Sequence, residues 1–141
     1  MPHDLSLLRS QLRTAGQQLQ AQLESFLGRE PLLPATLYTL RRRCGKPTCR
    51  CAQGELHAST VLSYRGQGRP QSITPPPEHL AAVQKLTDDY RRFRRARTEL
   101  LRLHRQMLAL IDRIESARID QGERQFQKLR SAASRLGSPR R

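Results

Sequence analysis

The chain has 141 residues, 36% of them hydrophobic and 4% aromatic, with no Trp. That is thin for a large rounded core and suits helices packed along seams with a metal staple. Its 26 Lys and Arg against 12 Asp and Glu give a formal charge of +14, so the chain is drawn to polyanions; nucleic acid leads, anionic membrane surface comes second, and a solvated basic surface or an acidic partner protein is the plainer alternative. No run approaches the ~18 apolar residues of a membrane span, and the first residues, MPHDLSLLRSQLRTAG, lack a secretory apolar core. No membrane partner is expected, and the chain is placed in the cytoplasm.

Residues 4–28 form the first segment, an N-terminal amphipathic helix over 4–27. Leu5, Leu8, Leu12, Ala15, Leu19, Leu23 and Phe26 recur at spacings of three and four, which makes one apolar stripe. Asp4 is placed to cap the free amides of the first turn. Gly28 is expected to close the helix in the left-handed conformation, and Pro31 prevents its resumption.

Residues 36–74 form the second segment, a zinc-stapled unit of two or three antiparallel strands. Thr36–Leu40 is strand-prone and runs into Arg41, Arg42 and Arg43; 59–64 and 71–74 supply the other strands. Gly66 and Gly68 are expected to take positive φ at the reversal between them. A sheet this small is marginal alone.

From about Glu78 the chain reads as a long basic helix over 78–120, following Pro75-Pro76-Pro77. Its stripe runs through Leu80, Val83, Leu86, Tyr90, Phe93, Leu100, Met107, Ile111 and Ile114, with Leu101, Leu108 and Leu110 widening it and Arg97 and His104 interrupting it. One helix or two bent near 97–99 both fit. The helix would pair with the N-terminal one as a helical hairpin, or as a coiled coil with a second copy. Gly122 marks an expected break, after which 123–141 gives a short helix and a basic tail. The fold class is therefore mainly α with a small β part.

All three cysteines lie in RRRCGKPTCRCAQGELH, residues 41–57. An odd count leaves a disulfide framework incomplete, whereas Cys44, Cys49, Cys51 and His57 supply four borderline-soft donors suited to tetrahedral zinc. Gly45, Pro47 and Gly54 let the chain fold back between them. His79 and Glu55 are alternative fourth ligands. Four protein ligands leave no open position, so the Zn²⁺ would be structural. Iron–sulfur ligation ranks lower, because clusters usually take four thiolates. Pro47–Cys51 superficially resembles a zinc deaminase signature, but no His-x-Glu accompanies it. No phosphate loop, nucleophile elbow or paired-acid set appears, and the chain is read as no enzyme.

On a helix, Arg91, Arg95, Arg102 and Arg105 line one face at spacings of four, seven and three, suited to a phosphate backbone. Arg41, Arg42, Arg43, Lys46, Arg50, Arg65 and Arg69 add a second basic patch around the zinc unit. Nothing identifies base-reading residues.

The strings Cys44-Gly45-Lys46-Pro47-Thr48-Cys49-Arg50-Cys51, Gly54-Glu55-Leu56-His57, Leu62-Ser63-Tyr64 and Tyr90-Arg91-Arg92-Phe93 resemble an uncharacterised family of small bacterial proteins, a domain of unknown function. Its members are often found with transposases and other mobile elements. The resemblance covers roughly residues 31–110 and departs from the family at Ala58-Ser59-Thr60, where Gly-Pro-Tyr is common. It implies a mobile-element setting, DNA rather than RNA, and treatment of the three cysteines and His57 as a unit. The leading function is a zinc-stabilised nucleic-acid-binding protein. The alternative is an assembly module pairing with a second copy (a homodimer) or a transposase-like partner.

Overall fold

The computed structural model describes residues 4–137. In chain order these form helix α1 (Leu5–Leu23), strands β1 (Ala35–Arg42), β2 (His57–Gly66) and β3 (Arg69–Ile73), and helix α2 (Leu80–Leu136), with short 3₁₀ turns between. Two helices with a three-stranded antiparallel sheet are the expected class. Residues 138–141, where the basic tail is expected, and His3 lie outside the described residues. No described helix is long and apolar enough to cross a membrane. The chain divides into two compact units, residues up to Glu24 with those from Arg97 on, and Ser25–Ala96.

In the helical unit, Asp4 caps α1 as expected: its Oδ1 accepts from the Ser6 and Leu7 amides at 2.9 and 3.3 Å. The other end differs. α1 tightens into a 3₁₀ turn at Glu24–Phe26, with the Glu24 amide donating to the Gln22 carbonyl. Gly28 does not have positive φ. The tightened turn already satisfies a terminal carbonyl, so no left-handed cap is required.

Leu8 and Ala15 of α1 are buried, with Leu5, Leu12, Gly16 and Leu19 half-buried. On α2 the buried line is Leu103, Leu110 and Ala117, with Leu100, Met107 and Ile114 half-buried between them. Both lines alternate steps of three and four. The α1 face at Gly16 meets the Met107 methyl, and residues 10–18 line a groove with residues 106–113. The α1 stripe from Leu5 to Leu19 is therefore covered within the chain, whereas Leu23, also expected on it, is exposed. The seam on α2 keeps Leu100, Met107, Leu110 and Ile114 of the expected stripe but turns towards Leu103: Arg97, His104 and Ile111 are exposed, and the fully buried residue is Leu103. Apolar residues at 100, 101, 103, 107, 108, 110 and 111 permit two stripes, and periodicity alone does not choose between them.

α2 is one helix of 57 residues, unbroken at 97–99 and through Gly122. A glycine in an exposed helix interior costs only about 1 kcal/mol relative to Ala, too little to stop a helix flanked by Gln, Glu, Arg and Lys. The expected short last helix is the continuation of α2.

In the sheet unit the strand order is β1-β2-β3, all antiparallel. Leu37, Leu62 and Ile73 form one cross-strand row. Val61 and Leu62 of the central strand are both buried. Successive strand residues face opposite sides, so both faces of the sheet are covered there. Gly66 pairs with Arg69, and the two-residue loop is Gln67-Gly68, at φ 53° and 75°. The positive-φ pair is thus Gln67 and Gly68, not two glycines, as a type I′ turn requires at its central positions. A Cβ at Gly66 would lie 3.1 Å from the side chains of Gln71 and Tyr64, which would have to shift by a few tenths of an ångström to admit it.

The first turns of α2 join this unit. The Leu33 amide donates to the Leu86 carbonyl at 3.3 Å, and Phe26 packs edge-on to Phe93 with ring centroids 5.0 Å apart. Asp89 is buried and salt-bridged to Lys85, at 2.7 Å, and to Arg92. The Lys85 hydrogen bond, helped by Arg92, holds its carboxyl below the ordinary 3.8 against the opposing effect of burial.

Leu103→Ala is expected to cost about 2–5 kcal/mol by denaturant unfolding, as for a fully buried leucine, while Leu101→Ala on the exposed side costs far less. A lowered carboxylate pKa adds stability above pH 3.8 that is lost as pH falls through the lower, folded-state value. The stability gap between wild type and Asp89→Asn should therefore narrow as the pH falls below 3.8 in denaturant titrations.

Candidate metal centre

Cys44 lies just beyond the end of β1, and His57 is the first residue of β2, directly after the loop that holds Cys49 and Cys51. Arg42 and His57 are the last pair of the β1–β2 ladder. The loop folds back twice. Gly45, at φ 82°, opens a turn closed by the Cys49 amide on the Lys46 carbonyl at 3.2 Å. Cys49 then precedes a 3₁₀ turn, Arg50–Gln53, that buries Cys51. Gly54, at φ 108°, ends that turn, its amide donating to the Cys51 carbonyl at 3.3 Å. Residues with a Cβ rarely adopt these angles, so both glycines are placed by backbone geometry.

The result is a cluster of four donors: Cys44 Sγ, Cys49 Sγ, Cys51 Sγ and a His57 ring nitrogen all lie within 4.8 Å of one another. Cys44 and Cys51 sulfurs are 3.4 Å apart, and Cys49 Sγ is 3.1 Å from His57 Nε2. No pair is bonded as a disulfide. The Cys44 amide also donates to Cys51 Sγ at 3.3 Å. Metal–sulfur bonds of ~2.3 Å in a tetrahedron would set sulfurs about 3.8 Å apart, close to the spacing seen. Three sulfurs and an imidazole around one point thus fit a metal ion. Glu55 and His79, the alternative fourth ligands, are not members of the group. Cys51 is buried, Cys49 half-buried, and Cys44 and His57 exposed.

The basic residues divide between the two units. Arg41 and Arg42 end β1, Arg43 follows, Lys46 and Arg50 belong to the cysteine loop, and Arg65 and Arg69 flank the β2–β3 turn. All seven are exposed, and none has an acid partner among the described residues. Arg91 and Arg95 belong to the sheet unit, where they line one depression with Asp88 and Arg92. Arg102 and Arg105 belong to the helical unit. The four are not equivalent. Arg91 lies 3.8 Å from Asp88, and Arg102 is bound by Glu99, which raises the Arg102 pKa and lowers that of Glu99. Arg95 and Arg105 have no acid within ion-pair distance among the described residues. Arg92, absent from the expected face, joins the depression but is neutralised by Asp89; its i,i+3 spacing to Asp89 is the signal that finds it.

The family described as Domain of unknown function (DUF6788) matches residues 9–85, more than half of the chain. The chain belongs to this family. The match takes in most of α1, the whole sheet and all four donors. It starts earlier than the resemblance in the sequence suggests and ends before Tyr90-Arg91-Arg92-Phe93. No curated protein and no solved structure matches the chain.

Purified protein is expected to carry about one metal ion per chain by elemental analysis. Cys49→Ser and Cys51→Ser should each abolish it, and a strong chelator should broaden or lose the sheet's amide resonances. Glu55→Gln and His79→Ala should retain the full metal content.

Proposed function

We propose that the chain is a zinc-stapled nucleic-acid-binding module without chemistry of its own. The observation that carries this reading is the charge around the cluster. Between residues 41 and 69 there are seven cations, all exposed, and one acid, Glu55. Ordinary solvated surfaces intersperse both signs. A one-signed patch on a small rigid unit is instead suited to a polyanion, and arginine's planar fork takes phosphate in pairs of hydrogen bonds.

Zinc is the ion that suits the donors best. It has no geometric preference of its own and accepts thiolate and imidazole together. When bound it would neutralise most of the thiolate charge, and Lys46 and Arg50 would offset the remaining −1. With all four positions taken by protein, the ion would hold the loop and leave no place for water or substrate. The sheet then serves as a platform for Arg41, Arg42, Arg65 and Arg69. Arg95 of the same unit, unencumbered by acids, would add a phosphate contact, and Arg105 of the helical unit is a separate candidate contact.

DNA is favoured over RNA, and a mobile-element setting in the cytoplasm is favoured over others, because of the sequence resemblance described above. With no base-reading side chains apparent, binding would rest on backbone charge.

Fluorescence anisotropy with a ~25-bp duplex tests the reading. Affinity should fall by about 10³–10⁵ between ~50 and ~200 mM salt if six to ten phosphates are contacted. Arg65→Ala should weaken all sequences alike and reduce the salt slope by about one. Absent binding, or affinity indifferent to salt, would refute the proposal. A single-stranded RNA bound tighter than the duplex would replace DNA with RNA.

A further inference from the structure

Beyond Ala117 no described residue of α2 is buried or half-buried. The sequence there is not that of a solvated helix. Ile119, Gly122, Phe126, Leu129, Ala133 and Leu136 recur at alternating steps of three and four, one stripe along the last third of α2. Four large members of it are open to solvent, from Ile119 at 51% to Leu136 at 89%. α1 does not cover them, since the α2 residues it accompanies are Leu103, Leu110 and their neighbours. Most helix stability in proteins comes from packing an apolar face. A contiguous exposed apolar stripe marks an interaction surface.

We propose that residues 119–136 of α2 pair antiparallel with the same residues of a second copy of this chain. The stripe is complementary to itself. Setting Phe126 opposite Leu129 of the second copy brings Ile119 opposite Leu136 and Gly122 opposite Ala133. Large residues meet large and small meet small, and two-fold symmetry repeats each layer. The flanking charges fit the same register. Glu123 and Arg130 each follow a stripe residue on one side, so Glu123 of one copy faces Arg130 of the other, twice. The other flank carries Gln125 and Ala132, which are uncharged. Asp120, Arg124, Lys128 and Arg135 fall on the outer face. An anionic lipid surface would favour cations on both flanks of the apolar stripe, and this stripe lacks them. The pairing does not depend on nucleic-acid binding.

The test is the mass of the full-length, metal-loaded, nuclease-treated protein by light scattering and sedimentation from about 1 to 100 μM. A dimer is expected. Phe126→Asp and Leu129→Asp should each leave monomer across the range, with metal content unchanged as the guard against unfolding. Glu123→Arg should weaken the dimer about three- to tenfold, and Glu123→Arg with Arg130→Glu should restore it. Wild-type monomer at 100 μM, a dimer indifferent to Phe126→Asp, or a double swap no tighter than the single one would overturn the proposal.

Discussion

The sheet depends on the closure between β1 and β2. Cys44 follows β1, His57 begins β2, and Arg42 pairs with His57 at the end of the ladder. Anything that draws the four donors together therefore fixes the ends of the two longest strands at once. Without such closure the connection is a loop of 14 residues (43–56) whose ordering opposes folding. Only Val61 and Leu62 are buried within the strands, too little apolar area to hold a three-stranded sheet alone. The turn between β2 and β3 needs no such help, because Gln67-Gly68 already has the backbone twist that matches the strands.

Closure of that loop concentrates charge. Bringing three sulfurs within 4.8 Å is unfavourable for thiolates unless cations are near or a metal lies between them. Lys46 and Arg50 lie inside the loop, and Arg41–Arg43 lead into it. These cations are exposed, and none has an acid within ion-pair distance among the described residues. This contrasts with α2, where Asp88, Asp89 and Glu99 answer three of its arginines. The two basic regions differ physically, and the exposed cations around the loop are the less neutralised set.

Much of this was legible in the sequence, for definite reasons. The Cys and His spacing with Gly45 and Gly54 identified the cluster, because only certain residue types both bind metal and turn tightly. Alternation and the turn residues identified the sheet to within a few residues, and Asp4 gave the start of α1. Other features resisted. Gly28 looked like a helix stop, but local tightening at Glu24–Phe26 satisfied the terminus first. Gln67 has positive φ, which its type does not announce. Leu103 was missed because neighbouring apolar residues offer a second stripe, and only the partner helix chooses between them. Asp89 and Thr87 are buried on a segment whose composition reads as surface.

A separate stripe beyond Ala117 explains why Gly122 is no boundary. A helix that carried one apolar face, covered by α1, would gain nothing by continuing past Ala117, where that cover ends. Its sequence would then relax towards loop residues. Instead the spacing of three and four persists from Ile119 to Leu136 on a rotated line, with Gly122 itself at a stripe position. A glycine there lets a neighbouring helix approach closely, at a cost of about 1 kcal/mol in the isolated helix. A stripe kept in register across a glycine is a constraint on packing, since an isolated, solvated helix would be indifferent to where its apolar residues fall.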